Sequence, residues 1–213
     1  MFEATIRRVA SPFREGDSAA TYRALAGVSA IYLIAQLLAV PLGRWWSWDE
    51  AGYVSQVTRG VPAAVFYPWQ SRGVSFLVAP ASLIGLPSLA VRVWLAVLSS
   101  VAIGLAFATW VPTLRRAAPV AALLFAGSWI ALFYGSEAMP NLWSAIFGVA
   151  ATGLVVRLDR ASVMRGAACL ACMGLVRLPD AVLLGAVLAV GVVAMSRRWS
   201  LGLLLVAGVA LEI

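Results

Sequence analysis

The sequence predicts an all-α fold, a polytopic transmembrane bundle of about six or seven membrane helices plus one re-entrant or interfacial segment. Two observations carry this reading. The chain is 62% hydrophobic and 12% charged, with a mean hydropathy of +0.93. Soluble domains average roughly 45–50% apolar and about 25% charged residues, so this chain cannot present a solvated surface all round. Its apolar residues also fall in successive runs from Tyr22 almost without pause to Ile213. Most of these runs approach the length that a helix rising about 1.5 Å per residue needs to cross about 30 Å of hydrocarbon. No internal repeat and no low-complexity linker divides the chain, so residues 1–213 read as a single transmembrane domain.

The elements follow in order. Residues 1–21 are polar, and Arg7, Arg8 and Arg14, with Arg23 just beyond, oppose Glu3, Glu15 and Asp17. The basic bias makes this a cytoplasmic tail, and without a small-residue cleavage pattern it does not read as a secretory signal. Tyr22 to Leu42 is the first crossing and leads into a long outer loop, 43–90. Within that loop Gly73 to Leu86 is apolar but reaches only about 21 Å, with Pro80 near its middle and Pro87 closing it. We read it as re-entrant or interfacial. Were it to span, everything after it would change sides. The next runs are Val91–Val111 before Arg115 and Arg116, Pro119–Tyr134 before the linker Gly135–Asn141, and Leu142–Val156 before Arg157 and Arg160. Val163–Val176 ends at Arg177-Leu178-Pro179-Asp180, Ala181–Met195 ends at Arg197-Arg198, and a last run is cut off at Ile213. Placing the arginine pairs inside puts Asp49, Glu50, Glu137 and Asp180 together on the outer side.

Charge and cysteine usage exclude other classes. All sixteen basic residues are Arg and none is Lys, a bias we attribute to the base composition of a GC-rich bacterial genome. The net charge of +7 is dispersed at the ends of apolar runs and forms no stripe, which argues against a nucleic-acid partner. The expected location is the cell membrane, with several passes. Cys169 and Cys172 lie one helical turn apart in an apolar run, and the chain has no His. They read as small packed residues rather than zinc ligands.

The chemistry concentrates at Trp45-Trp46-Ser47-Trp48-Asp49-Glu50, where two of only nine acidic residues stand in a tryptophan cluster beside the first crossing. One reading makes the tryptophans an interfacial belt and the carboxylates a helix end in water. The other makes Asp49 catalytic, with Glu50 beside it. Asp49, Tyr53 and Gln56 share helical spacing, so a short juxtamembrane helix would align a carboxylate, a phenol and an amide. A carboxylate at the membrane surface is what deprotonating an acceptor hydroxyl requires. Arg72, Arg92 and Arg177 stand at outer helix mouths, either as snorkelling anchors or as partners for a lipid-linked phosphate.

The order of these features resembles the N-terminal half of the glycosyltransferase C superfamily, the polytopic enzymes that use polyprenyl-phosphate sugars. The resemblance rests on Trp48-Asp49-Glu50 with Tyr53, on Arg72-Gly73 to Pro80, on Ala90-Val91-Arg92, on Ser136-Glu137-Ala138-Met139-Pro140-Asn141 and on Arg177-Leu178-Pro179-Asp180. It covers about Tyr22 to Arg198, and suggests the N-terminal part of a longer protein. It implies Asp49 as the acid/base group with Glu50 beside it, and Glu137 as a second acidic position. The implied activity is transfer of a sugar, mannose foremost, from a polyprenyl-phosphate donor to a hydroxyl on a lipid, glycan or protein acceptor. Arg72, Arg92 or Arg177 would hold the phosphate. Glu137 would orient the acceptor or, with Asp49, bind a divalent cation such as Mg or Mn. Two rival readings remain: a transporter or flippase subunit whose outer carboxylates line a substrate path, and a noncatalytic subunit whose Asp-Glu caps a helix.

Overall fold

The computed structural model describes residues 15–66 and 70–210, and every element among them is helical. The basic tail with Arg7, Arg8 and Arg14, the aromatic stretch 67–69 and the last three residues lie outside the described residues.

Helix α1, Glu15–Ala39, is followed by a short α2, Trp48–Ser55, and by α3, Gly73–Leu83. Helix α4, Ser88–Ala108, leads through α5, Val111–Leu114, and a 3₁₀ turn, Arg115–Ala117, into α6, Ala118–Ala126, and α7, Trp129–Tyr134. Three more follow: α8, Pro140–Val155, α9, Arg160–Ser196, and α10, Trp199–Ala210. Among the described residues, three helices are long and apolar enough to cross a membrane: Asp17–Ala39, Ser88–Ala108 and Arg160–Ser196. Gly73–Leu83, Pro140–Val155 and Trp199–Ala210 are apolar but shorter.

Contacts define two ends of the molecule. At one end Arg116 pairs with Asp17 at 2.6 Å, and at the other Arg44 pairs with Glu137 at 2.7 Å. Helices α1 and α4 run antiparallel between them. Gly104 abuts Ser29 toward the Asp17 end, and the Gln36 amide donates to Ser99 and Ser100 further along. The chain returns through α6 and α7, descends along α8, and folds back again in α9.

The expected run 119–134 is two helices rather than one. Gly127 ends the first, and Ser128 starts the second by accepting the N–H of Ala131 on its hydroxyl. A serine cap competes with helix continuation even where hydropathy is unbroken.

Helix α9 is broken at Arg177, whose φ of −157° and ψ of 91° are extended, two residues before Pro179. Leu170 and Gly185 would lie about 22 Å apart on a straight helix. Instead a methyl built on Gly185 would come within 3.7 Å of the Leu170 side chain. The two arms therefore fold into a hairpin whose tip is Arg177-Leu178-Pro179-Asp180. Helix α10 packs back along the second arm, with Gly202 against Val193 and Ala189.

The apolar core is in two parts. Leu25, Tyr32, Val74, Leu95, Ile103 and Trp143 anchor one among α1, α3, α4 and α8. Val163, Leu170 and Leu205 anchor the other among α8, α9 and α10, and Phe147 on α8 borders both. The segment read as re-entrant forms α3, a helix of 11 residues with Pro80 inside. Its start meets the hairpin tip at Leu175 and Val176, while Leu77 accepts the indole N–H of Trp94 near the start of α4. Both of its neighbours belong to the Arg44–Glu137 end, so α3 lies at that end and does not run the length of the bundle.

Candidate functional site

The Arg44–Glu137 end is organised around the first turn of α2. Ser47 caps this helix by accepting the Glu50 N–H at 3.4 Å, while the Glu50 carboxylate accepts the Ser47 N–H at 2.9 Å. This reciprocal box satisfies two of the donors a helix start leaves open. It also fixes which way the next side chains point. Asp49 is exposed, and Glu50 is 1% exposed.

Glu50 faces Arg92, which lies one turn inside α4 and is fully buried. The guanidinium grips the carboxylate with both arms, Nη1 to Oε1 at 2.8 Å and Nη2 to Oε2 at 3.0 Å. It also donates to the carbonyls of Ser136 and Trp45 and stacks 4.4 Å from the centre of the Trp46 ring. The Ala138 N–H completes the shell of Glu50 at 3.2 Å. Burial pushes the Glu50 carboxyl up. The hydrogen bond from Arg92, the Ser47 N–H, the charge of Arg92 and the Ala138 N–H together outweigh it and hold the group below its ordinary range. This one pair thus ties the α1–α2 linker, α2, α4 and the α7–α8 linker into a unit.

A second pair stands beside it. Arg44 donates to Glu137 at 2.7 Å and lies 4.5 Å from the centre of the Phe133 ring. Burial raises the Glu137 carboxyl to about 7, the charge of Glu50 adds to the rise, and Arg44 and Arg92 oppose it.

Beside this scaffold opens a cleft of about 340 Å³. Asp49 and Tyr53 form its α2 wall, Gln70 and Ser71 its loop wall, and Met139, Pro140 and Asn141 its α8 wall; the hairpin tip closes it with Val176, Arg177 and Pro179. Arg177 is half-exposed, donates to the Asn141 side chain at 3.1 Å and lies 3.5 Å from Asp180, whose other bond is accepted from the Ser144 hydroxyl at 2.7 Å. Tyr53 is buried at the base, edge-on to Phe66. Burial raises its phenol; the charge of Asp49 raises it further and that of Arg177 lowers it. Tyr53 therefore feels an anion and a cation across the same opening.

The structure brings Asp49, Tyr53 and Arg177 together at this cleft. It places the other sequence-read residues elsewhere. Glu50 and Arg92 are consumed in their buried pair, and Glu137 in the pair with Arg44. Gln56 points to the loop, donating to the carbonyls of Gly52 and Ala64. Arg72 is exposed at the start of α3, next to the cleft residue Ser71. Among the described residues no three His, Cys, Asp or Glu side chains come together, and of the two carboxylates read as possible cation ligands Asp49 lines the cleft while Glu137 is paired with Arg44.

Sequence reasoning missed Arg44, Asn141, Gln70 and Ser71. Arg44 carried a signal, because a charge between a crossing and a tryptophan cluster needs either water or a partner. Asn141 gave only its place directly after Pro140 at a helix start. No protein-family model matches the chain, and no characterised protein or solved structure is significantly similar to it.

Proposed function

We propose that the protein is a multi-pass membrane glycosyltransferase that moves a sugar, mannose foremost, from a polyprenyl-phosphate donor to an acceptor hydroxyl at the extracytoplasmic face. In this reading the antiparallel course of α1, α4, α6–α7, α8, the two arms of α9 and α10 amounts to seven crossings. The observation that carries the reading is the shared cleft of Asp49 and Arg177. A general base and a phosphate-binding cation belong on opposite sides of a sugar undergoing inversion, and the cleft supplies one of each.

In the reaction, Asp49 takes the proton from the acceptor hydroxyl as its oxygen bonds to the anomeric carbon. The bond from that carbon to the donor's phosphate oxygen breaks on the far face, and the polyprenyl phosphate leaves with the electron pair. Arg177 neutralises its charge, held in place by Asn141 and Asp180. Gln70, Ser71 and Asn141 line the same cleft, where the sugar would lie. The polyprenyl tail lies among the apolar helices. Glu50, Arg92, Glu137 and Arg44 hold the walls and touch no substrate.

The test is transfer of radiolabelled mannose from polyprenyl-phosphate-mannose in membranes of cells expressing the protein. Asp49→Asn is expected to lower transfer by at least about a hundredfold, the scale of a lost general base. Equal transfer by wild type and Asp49→Asn would remove Asp49 from the chemistry.

A further inference from the structure

The opposite end of the molecule carries a second built feature, between the second arm of α9 and α10. A groove of about 350 Å³ runs there, floored by Ala189, Ala194 and Gly202 and walled by Val190, Leu203 and Val206. Its lining is almost wholly apolar, and its size lies within the range of small-ligand pockets. The helices meet closely at its floor, because a methyl on Gly202 would come within 2.6 Å of the Val193 side chain. Val190 and Leu203 are 70% and 67% exposed, so nothing in the described chain fills the space above them.

The turn beside this groove is charged. Trp199 lines the groove, and Arg197 and Arg198 form the turn directly before Trp199. Both arginines are exposed, and neither meets a carboxylate among the described residues. Arg197 ends α9 in the left-handed region, φ 55°, and Arg198 donates its N–H to the Ser196 hydroxyl, so the turn is fixed. The same end gathers Arg115, Arg116, Arg157 and Arg160, the charge pattern of a cytoplasmic surface.

We infer that this groove is a binding site for one anionic phospholipid, with an acyl chain along the α9–α10 floor and the headgroup phosphate on Arg197 and Arg198. Charge complementarity selects this occupant. A neutral lipid or a packed helix would cover the apolar floor and leave two adjacent guanidinium groups unneutralised, whereas basic pockets between membrane helices match anionic headgroups. The inference rests on the membrane placement proposed above and is independent of the sugar chemistry.

The experiment is native mass spectrometry of the purified, delipidated protein titrated with phosphatidylglycerol or phosphatidylcholine of identical acyl chains. Arg197→Asn/Arg198→Gln is the test variant, Asn being chosen because it tolerates the left-handed backbone at 197. Arg157→Gln/Arg160→Gln removes equal charge from the same end away from the groove. Ala194→Trp fills the groove and keeps both arginines. The wild type is expected to bind one phosphatidylglycerol at least about tenfold more tightly than phosphatidylcholine. The 197/198 variant should lose that preference, the 157/160 variant should keep it, and Ala194→Trp should lose both lipids. Equal binding of the two lipids by wild type would overturn the proposal, as would an unchanged preference in the 197/198 variant. A lipid-free dimer as the main species would also overturn it by assigning the groove to a second copy.

Discussion

Successive residues on a helix point about 100° apart, and at Asp49 and Glu50 that angle separates an exposed carboxylate in a cleft from a buried one in a salt bridge. The Ser47-x-x-Glu50 spacing of the capping box stands in the sequence and marks Glu50 as the residue turned back onto the helix start, whereas its partner 42 positions away cannot be seen in a string of residues. Removing one member of a buried pair leaves the other charged and unpaired, which costs about 3–5 kcal/mol. Arg92→Met is therefore expected to lower stability by that amount in detergent melting, while Arg92→Met paired with Glu50→Leu should recover much of it. Glu137 makes a different prediction. Its carboxyl is raised to about 7 in the folded protein, so it binds its proton more tightly there than in the unfolded chain. The stability this contributes is fully present below the ordinary carboxylate range and is lost as pH rises through about 7. Scanning fluorimetry between about pH 5 and about pH 8 should show wild type losing melting temperature relative to Glu137→Gln across that window.

At the scale of elements, the apolar runs were legible and their interruptions less so. The short length and proline of 73–86 pointed to an element that does not cross, and the segment forms α3, an apolar helix of 11 residues with Pro80 inside. The Arg177-Leu178-Pro179-Asp180 break was readable because proline and charge coincide there. Gly127-Ser128 was not, since two small residues barely lower hydropathy and only the cap bond to Ala131 turns them into a stop. The close approach of α3 to the hairpin tip was invisible for another reason: it depends on an absent side chain. A methyl on Gly73 would sit 2.5 Å from the Leu175 carbonyl oxygen, a backbone atom that cannot swing aside. Gly73→Ala is expected to destabilise by about 1–3 kcal/mol. It should also depress transfer, because the displaced segment carries Val176 and Arg177 of the cleft wall. Melting and transfer measured on one preparation would check both.

Across the whole molecule, charge is distributed by end. Arg115, Arg116, Arg157, Arg160, Arg197 and Arg198 gather at one, and the ion pairs of Glu50 and Glu137, the Asp49 cleft and the hairpin tip at the other. The runs of arginine at the ends of apolar segments made this sorting legible in the sequence, whereas which of the two carboxylates is buried depends on the Glu50–Arg92 pair between α2 and α4. Orientation in the membrane gives a direct check. Ala64→Cys, in the exposed loop after α2, should react with an impermeant maleimide on intact cells, and Ala117→Cys at the arginine-rich end should react only after permeabilisation. Reaction of both, or the reverse order, would contradict the topology. The proposed division of labour between the adjacent carboxylates, Asp49 in the reaction and Glu50 in the fold, is decided by sugar transfer and melting temperature measured side by side for wild type, Asp49→Asn and Glu50→Gln. Asp49→Asn is expected to abolish transfer at an unchanged melting temperature, while Glu50→Gln should lower the melting temperature and lose transfer only in proportion to the protein that unfolds. Full transfer by Asp49→Asn, or a stable but inactive Glu50→Gln, would contradict it.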